Sequence, residues 1–184
     1  MRVIAGDLKG RTLVAPRGWK VRPTSDRVRE AIFSALGDVT GAHVLDLYCG
    51  TGALAIEALS RGATAAVLVD RDTRPALGNV ERLELRERAD LVRADVARWL
   101  ASAATASGHG GPRFDLVFVD APYRLADRVG RELDTHLPAL LGGGGTAVVE
   151  SSARRPLRLE SLECGRQRRY GGTDVSFYVA SEVS

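Results

Sequence analysis

"LDLYCGTGALA" (Leu45–Ala55) decides how the rest of this chain is read. An apolar, β-compatible run leads into two glycines and out into a small-residue helical pattern. Gly50, Gly52 and Ala55 fit the G-x-G-x-x-G/A spacing of nucleotide-binding turns, in which glycines let a ligand approach the backbone near a helix N-terminus. Working outward, "HVLDLY" (43–48) reads as a strand and "GALAIEALSRG" (52–62) as a helix ending at Gly62. Then come a strand at 65–70, a helix over about 73–86 with Pro75 in its first turn, and a strand at 90–95. The helix "VARWLASAA", a strand "FDLVFVD" and a helix over about 125–140 continue the alternation. "GGGG" (142–145) is expected to be a flexible connection before the strand "TAVVES" (146–151). Strands separated by helices of this length imply an α/β fold with a right-handed, mostly parallel sheet covered on both faces. The tail "LECGRQRRYGGTDVSFYVAS" has two strand-like runs around Gly171-Gly172 and no helix between them, which predicts an antiparallel hairpin at the sheet edge.

Ahead of this core, residues 1–22 read as a small β-hairpin extension, and residues 23–37 as an amphipathic helix. Thr24 or Ser25 can cap that helix, Gly37 can end it, and Val28, Ala31, Ile32, Ala35 and Leu36 share one face. The catalytic core is expected over 41–184, all within one domain, as suits 184 residues. Composition is that of an ordinary globular protein, 45% hydrophobic and 27% charged. No apolar run is long enough to span a membrane, and the N-terminus lacks a signal-like segment, so the expected location is the cytoplasm, with no membrane partner. Cys49 and Cys164, with three histidines, suit neither a disulfide framework nor a zinc site, so no metal is expected. Net charge is only +3, yet residues 1–29 hold eight basic residues against two acidic. Arg166, Arg168 and Arg169 form a second cluster. Such asymmetry points to a polyanion, nucleic acid first, although a solvated charged face has the same look.

Asp46 bears on the ligand. A pyrophosphate in this turn would meet its carboxylate as a like charge, whereas S-adenosylmethionine brings an ammonium and a sulfonium. The pattern D-x-x-x-G-x-G is the usual look of methyltransferases that use this donor. Asp70, 18 residues past Gly52, is placed to accept ribose hydroxyls, for this donor or for NAD alike. Asp95 suits an adenine amine and equally a helix N-cap. Cofactor-binding candidates are therefore Asp46, Tyr48, Gly50, Thr51, Gly52, Asp70, Arg71, Asp95 and Val96, with Arg71 also suited to a plain surface charge.

Asp46, Asp70, Asp95 and Asp120 all fall at C-terminal strand ends, the ligand-binding edge of an open parallel sheet. The last opens "DAPY": Asp120, Ala121, Pro122 and Tyr123 are the catalytic candidates. They resemble the D/N-P-P-Y/F/W signature of enzymes that methylate planar exocyclic amines. The lone pair of such an amine is delocalised into its ring. A carboxylate and the carbonyl of residue 121 can accept its hydrogens and turn the lone pair toward the methyl carbon. Pro122 holds the preceding residue extended, and Tyr123 can stack on a base drawn out of its helix. Ala121 replaces the usual first proline, keeping the carbonyl with less rigidity.

"RVIAGDLKGRTL", "RPTSDRVREAIFSAL", "LDLYCGTGALAIEALSRGA" and "FVDAPY" together resemble the bacterial small-subunit ribosomal RNA guanine-N2 methyltransferase family usually called RsmD. The resemblance runs from Arg2 to Tyr123, and more weakly through "YGGTDVSFY". It implies a Rossmann-like class I methyltransferase fold with a seven-stranded sheet, S-adenosylmethionine as donor, and a guanine N2 of 16S rRNA as acceptor within an assembling small subunit. Arg22, Thr24, Asp26, Arg27 and Arg29 match its N-terminal motif. With Lys9, Arg11 and Lys20, the non-acidic members of that motif make up the candidate RNA-binding set; Arg27 or Arg29 could instead pair with Glu30 or Asp120. A monomer is expected. Rival readings are an adenine-N6 or protein-glutamine methyltransferase, an NAD-dependent dehydrogenase, and a non-catalytic RNA-binding module.

Overall fold

The structure, a computed structural model, describes residues 1–15, 25–108 and 110–180. It comprises two compact units, residues 1–93 and 94–184. In the first, helix α1 (Asp26–Leu36) precedes β1 (His43–Leu47), α2 (Ala53–Ser60), β2 (Ala65–Asp70), α3 (Arg74–Arg82) and β3 (Ala89–Arg93). The strands lie in the order β3-β2-β1, all parallel, with Val44 opposite Ala66 and Leu68 opposite Leu91. Ser25 caps α1 by accepting from the Val28 N–H, and Gly37 ends it with a positive φ (78°) that a side chain would strain. Every residue of α2 is buried, so this helix is apolar all round except for Glu57 and Ser60.

The second unit holds α4 (Val96–Ser107), β4 (Phe114–Asp120), a 3₁₀ turn (Tyr123–Leu125), α5 (Ala126–Leu140), β5 (Leu141–Ser152), β6 (Glu163–Tyr170) and β7 (Thr173–Val179). Its strand order is β4-β5-β7-β6. β4 and β5 are parallel, whereas β7 runs antiparallel to both its neighbours, giving the edge hairpin expected of the tail. The four-glycine run is not a loose connection but the start of β5. Its register against β4 shifts between Phe114 and Leu116, and a Cβ at Gly145 would sit 3.0 Å from the Phe114 carbonyl. Glycine is used there for a close backbone approach in an irregular strand.

The N-terminal extension is tied down. Among its described residues it closes on itself through an isolated antiparallel bridge between Arg2 and Thr12 and backbone bonds from the Val3 N–H to the Arg11 carbonyl and from the Gly10 N–H to the Val3 carbonyl. It is then fastened to α2 by side chains. Glu57 accepts the N–H groups of Ile4 (2.8 Å) and Ala5 (3.0 Å). Ser60 donates to the Ala5 carbonyl (2.6 Å) and accepts from the Leu8 N–H (3.0 Å). Gly6 passes so close that an added Cβ would lie 1.7 Å from the Ser60 carbonyl oxygen. The part of the extension over 16–22 lies outside the described residues.

Candidate active site

In the first unit the site is built around the turn after β1. Gly50 and Gly52 have positive φ (54° and 74°), and Tyr48 shares that region at 60°, an uncommon conformation for a residue with a Cβ. The turn is closed by a 2.7 Å bond from the Gly52 N–H to the Cys49 carbonyl, and Gly52 N-caps α2. A Cβ on Gly52 would meet Leu68 Cδ2 at 2.8 Å, so glycine there serves packing as well as conformation.

Both acids of this unit hold the turn through its backbone. Asp46 is buried (1% exposed), and its Oδ2 accepts the Ala55 N–H at 3.1 Å, in the first turn of α2, where the helix dipole favours an anion. Asp70 uses both oxygens: Oδ2 accepts from Gly50 (3.0 Å) and Oδ1 from Asp72 (3.1 Å). Thr51 is buried, and its carbonyl accepts from Asn79 Nδ2 (3.0 Å). The same amide of Asn79 also bonds both backbone groups of Val14 (2.8 and 3.0 Å), so a single buried side chain on α3 joins the extension to the glycine turn. Nothing in the sequence pattern marks Asn79, Glu57 or Ser60. Each is one polar residue on a buried helix face, and the extension groups it bonds lie 52 or more residues away.

Cys49 lies in this turn, and burial pushes its thiol well above the ordinary range, with the charges of Asp46 and Asp70 adding to the effect. It stays a protonated packing group rather than a nucleophile. Arg71 is exposed and its carbonyl accepts from Arg93. Beside it, the Arg74 guanidinium holds the Asp72 carboxyl down at about 2.

In the second unit Asp95 N-caps α4, its Oδ1 accepting the Arg98 N–H at 3.2 Å, and Val96 is buried (2% exposed). Asp120 closes β4, in register opposite Glu150 of β5. Ala121 is buried, whereas Pro122 and Tyr123 are exposed. The Pro122 carbonyl accepts from Leu125 (2.8 Å), starting the 3₁₀ turn that leads into α5. This turn stiffens the segment just after the alanine that stands in place of a proline. Tyr123 is 47% exposed, a large ring facing solvent, and its hydroxyl lies 3.4 Å from that of Thr173 on β7.

The sequence-based RNA set divides. Lys9, Arg11 and Arg27 are exposed, and Lys20, Arg22 and Thr24 lie outside the described residues. Arg29 does not belong to a surface: it is fully buried. Its guanidinium donates to Asp26 (3.0 Å) and to the Arg2 carbonyl, and its Nε lies 3.5 Å from Glu57 Oε2. Its partners are Glu57 and Asp26, not Glu30. The physical reason is that Glu57, itself 0% exposed, must be compensated where water cannot reach it. Arg61 adds a second cation at 2.8 Å from Glu57 Oε1. Among the described residues no helix is long and apolar enough to cross a membrane, and no group of three or more histidine, cysteine, aspartate or glutamate residues gathers as a metal site.

Strands, glycine turn and edge hairpin define the class. This is an α/β, Rossmann-like S-adenosylmethionine-dependent methyltransferase fold with a seven-stranded, mostly parallel sheet. A family model described as Conserved hypothetical protein 95 matches residues 1–179. A Bacillus subtilis (strain 168) protein provisionally named rRNA methyltransferase YlbH is 37% identical over 97% of this chain and 98% of its own. Ribosomal RNA small subunit methyltransferase D of Escherichia coli (strain K12) is 36% identical over 67% of this chain and 61% of its own length. The solved structure of an E. coli protein provisionally called methyltransferase yhhF superposes with TM-score 0.83 at 29% identity, covering 100% of this chain and 99% of that one. An RNA methyltransferase from Salinibacter ruber, solved with S-adenosyl-L-homocysteine, shares the fold at 17% identity (TM-score 0.65, 89% of this chain and 96% of that one). The chain belongs to the ribosomal RNA small subunit methyltransferase D family.

Proposed function

We propose that this protein transfers a methyl group from S-adenosylmethionine to the exocyclic N2 of a guanine in small-subunit ribosomal RNA, with the base drawn out of its helix. The observation that carries the acceptor reading is the loop at the end of β4, where Asp120 and the Ala121 carbonyl precede an exposed Pro122 and Tyr123. A guanine amine has two hydrogens to be accepted. The carboxylate and the carbonyl take them and aim the nitrogen lone pair, while Tyr123 stacks on the base plane. The sulfonium carries its own leaving group, so positioning supplies most of the acceleration. The nitrogen gains the methyl group and loses a proton, and the donor leaves as the neutral thioether.

The donor belongs with the glycine turn. Positive-φ Gly50 and Gly52 shape a turn that residues with a Cβ would strain, Asp70 stands at the strand end for ribose hydroxyls, and the negative charge of buried Asp46 suits a cationic ligand and opposes a pyrophosphate. Asp95 is at once an N-cap and a candidate partner for the adenine amine. Exposed Lys9, Arg11 and Arg27 position RNA through its phosphates, and the shape of the particle selects the base.

Methyl transfer to small subunits lacking the modification, followed by nucleoside mass spectrometry, should yield N2-methylguanosine; N6-methyladenosine would overturn the acceptor. Asp120→Ala should abolish turnover and leave donor binding nearly unchanged. Equal loss of both would show that Asp120 serves the donor instead.

A further inference from the structure

We propose that the outermost strand of the second unit, β6, is an RNA-backbone contact surface continuous with the acceptor loop. The inference rests on the acceptor being RNA, and extends that reading to a surface outside the N-terminal extension. β6 has the sequence ECGRQRRY; seven of its eight residues are exposed and Tyr170 is half-buried. Among the described residues it pairs only with β7, which leaves it at the edge of the sheet.

Register fixes what lies on each face. Tyr170 is opposite Thr173 and Arg168 opposite Val175, and cross-strand partners share a face while alternate residues repeat it. Arg166, Arg168 and Tyr170 therefore line one face of the strand. Thr173 shares that face, and its hydroxyl lies 3.4 Å from the hydroxyl of Tyr123. One row thus runs from the exposed acceptor tyrosine through Thr173 and Tyr170 to two arginines, each step along β6 being about 7 Å. Arg169 projects from the other face near the hairpin turn, where its Nε donates to the Gly171 carbonyl (3.4 Å). The carboxylate opposite it in register, Asp174, is 6% exposed and accepts from Gln167 and Ser176, so its bonds are made on that other face and not to the row.

Two arginines and an aromatic in one row beside the acceptor loop fit a phosphate backbone better than they fit an apolar partner. The guanidinium fork matches phosphate oxygens in pairs and stacks on bases. The competing explanation is that charge on an edge strand merely prevents strand-to-strand association. A bulge between Cys164 and Arg166 already serves that purpose.

The test compares wild type, R166Q/R168Q and R166K/R168K for binding to unmodified small subunits and to protein-free 16S RNA across a salt series. Removing two arginine–phosphate pairs should reduce the slope of log K against log salt by about 1.4, and weaken binding on the order of 10-fold near 0.15 M salt. KM for the subunit should rise with kcat at saturation and donor affinity unchanged, and the lysine variant should keep the slope. A glutamine variant with wild-type slope and KM overturns the proposal. So does one that self-associates in sedimentation while its monomer binds normally, which would make the arginines an edge guard. Weaker binding to subunits with unchanged binding to naked RNA would overturn it too, by assigning the surface to a ribosomal protein. A wild-type protein that methylates neither substrate would defeat the acceptor reading itself, a distinct result from a failure of β6 alone.

Discussion

Replacing Glu57 by glutamine tests whether the extension is held by a buried charge cluster. The carboxylate accepts two backbone N–H groups of the extension, at 2.8 and 3.0 Å, and faces Arg29 at 3.5 Å and Arg61 at 2.8 Å. Glutamine keeps the shape and one carbonyl oxygen. It removes the charge that compensates a guanidinium with no solvent exposure, and it turns an NH2 toward one backbone donor. Removing one partner of a buried pair costs about 3–5 kcal/mol, and an unmet buried amide about 1–3. The two terms share atoms and do not add, so a loss of about 4 kcal/mol is expected. For a chain of this size that lowers Tm by about 8–16 °C. With a urea dependence of about 2 kcal/mol per molar, the midpoint falls by about 2 M. Trypsin cleavage at Lys9 and Arg11 should accelerate in parallel. A second variant, Arg29→Met on the Glu57→Gln background, removes the stranded cation, and its cost should fall short of the sum of the single changes by more than about 1 kcal/mol. A single-variant loss below about 1 kcal/mol, or strict additivity in the double variant, would refute the buried-cluster account.

Gly6→Ala should destabilise the protein by several times the usual cost of a glycine-to-alanine change. Its Cβ would lie 1.7 Å from the Ser60 oxygen at a φ of +79°, and thermal melting reads the loss; a shift under about 2 °C would show that the extension can lift away freely. Iodoacetamide should label exposed Cys164 promptly and buried Cys49 only on unfolding, because burial keeps the Cys49 thiol protonated; equal labelling by peptide mass spectrometry would contradict this. The Asp72 carboxyl should titrate near 2 by NMR and return toward 3.8 in Arg74→Ala. Because the folded value is depressed, the stabilisation from that pair is present above about 4 and disappears as pH falls toward 2. An Asp72 midpoint unchanged by the arginine's removal would dismiss the pair.

Much of the fold is legible because its signals are local. β2 spans the six residues expected, 65–70, and α5 lies within one residue of its predicted start, since strand and helix periods, Gly62 and Pro75 are all short-range features. The hairpin of β6 and β7 is legible from Gly171-Gly172 for the same reason. The four-glycine run misleads because glycine marks both a loose loop and a close approach, and only the neighbouring strand, at Phe114, tells them apart. Arg29 misleads because a motif gives residue type and order but not burial. Its true partner, Glu57, lies on another helix, and a lone glutamate in "GALAIEALSRG" looks like any solvated helix charge.

The acids of the glycine turn show why its sequence is more constrained than its spacing suggests. An asparagine at position 46 could offer an oxygen to the Ala55 N–H, so that bond does not by itself demand a carboxylate, whereas at position 70 it would turn an NH2 toward either the Gly50 or the Asp72 N–H. What an asparagine could not supply at either position is the charge. Asp46 and Asp70 both push the Cys49 thiol upward from within the turn, on top of the larger effect of burial. A field that disfavours a thiolate there favours a cation there by the same sign. The turn is therefore tuned as well as shaped. Its backbone is fixed by bonds that Asp46, Asp70 and Asn79 make within the protein itself. On the proposed donor reading, ordering those groups in advance would spare the ligand that cost on binding, and a negative field there would favour a sulfonium over a phosphate.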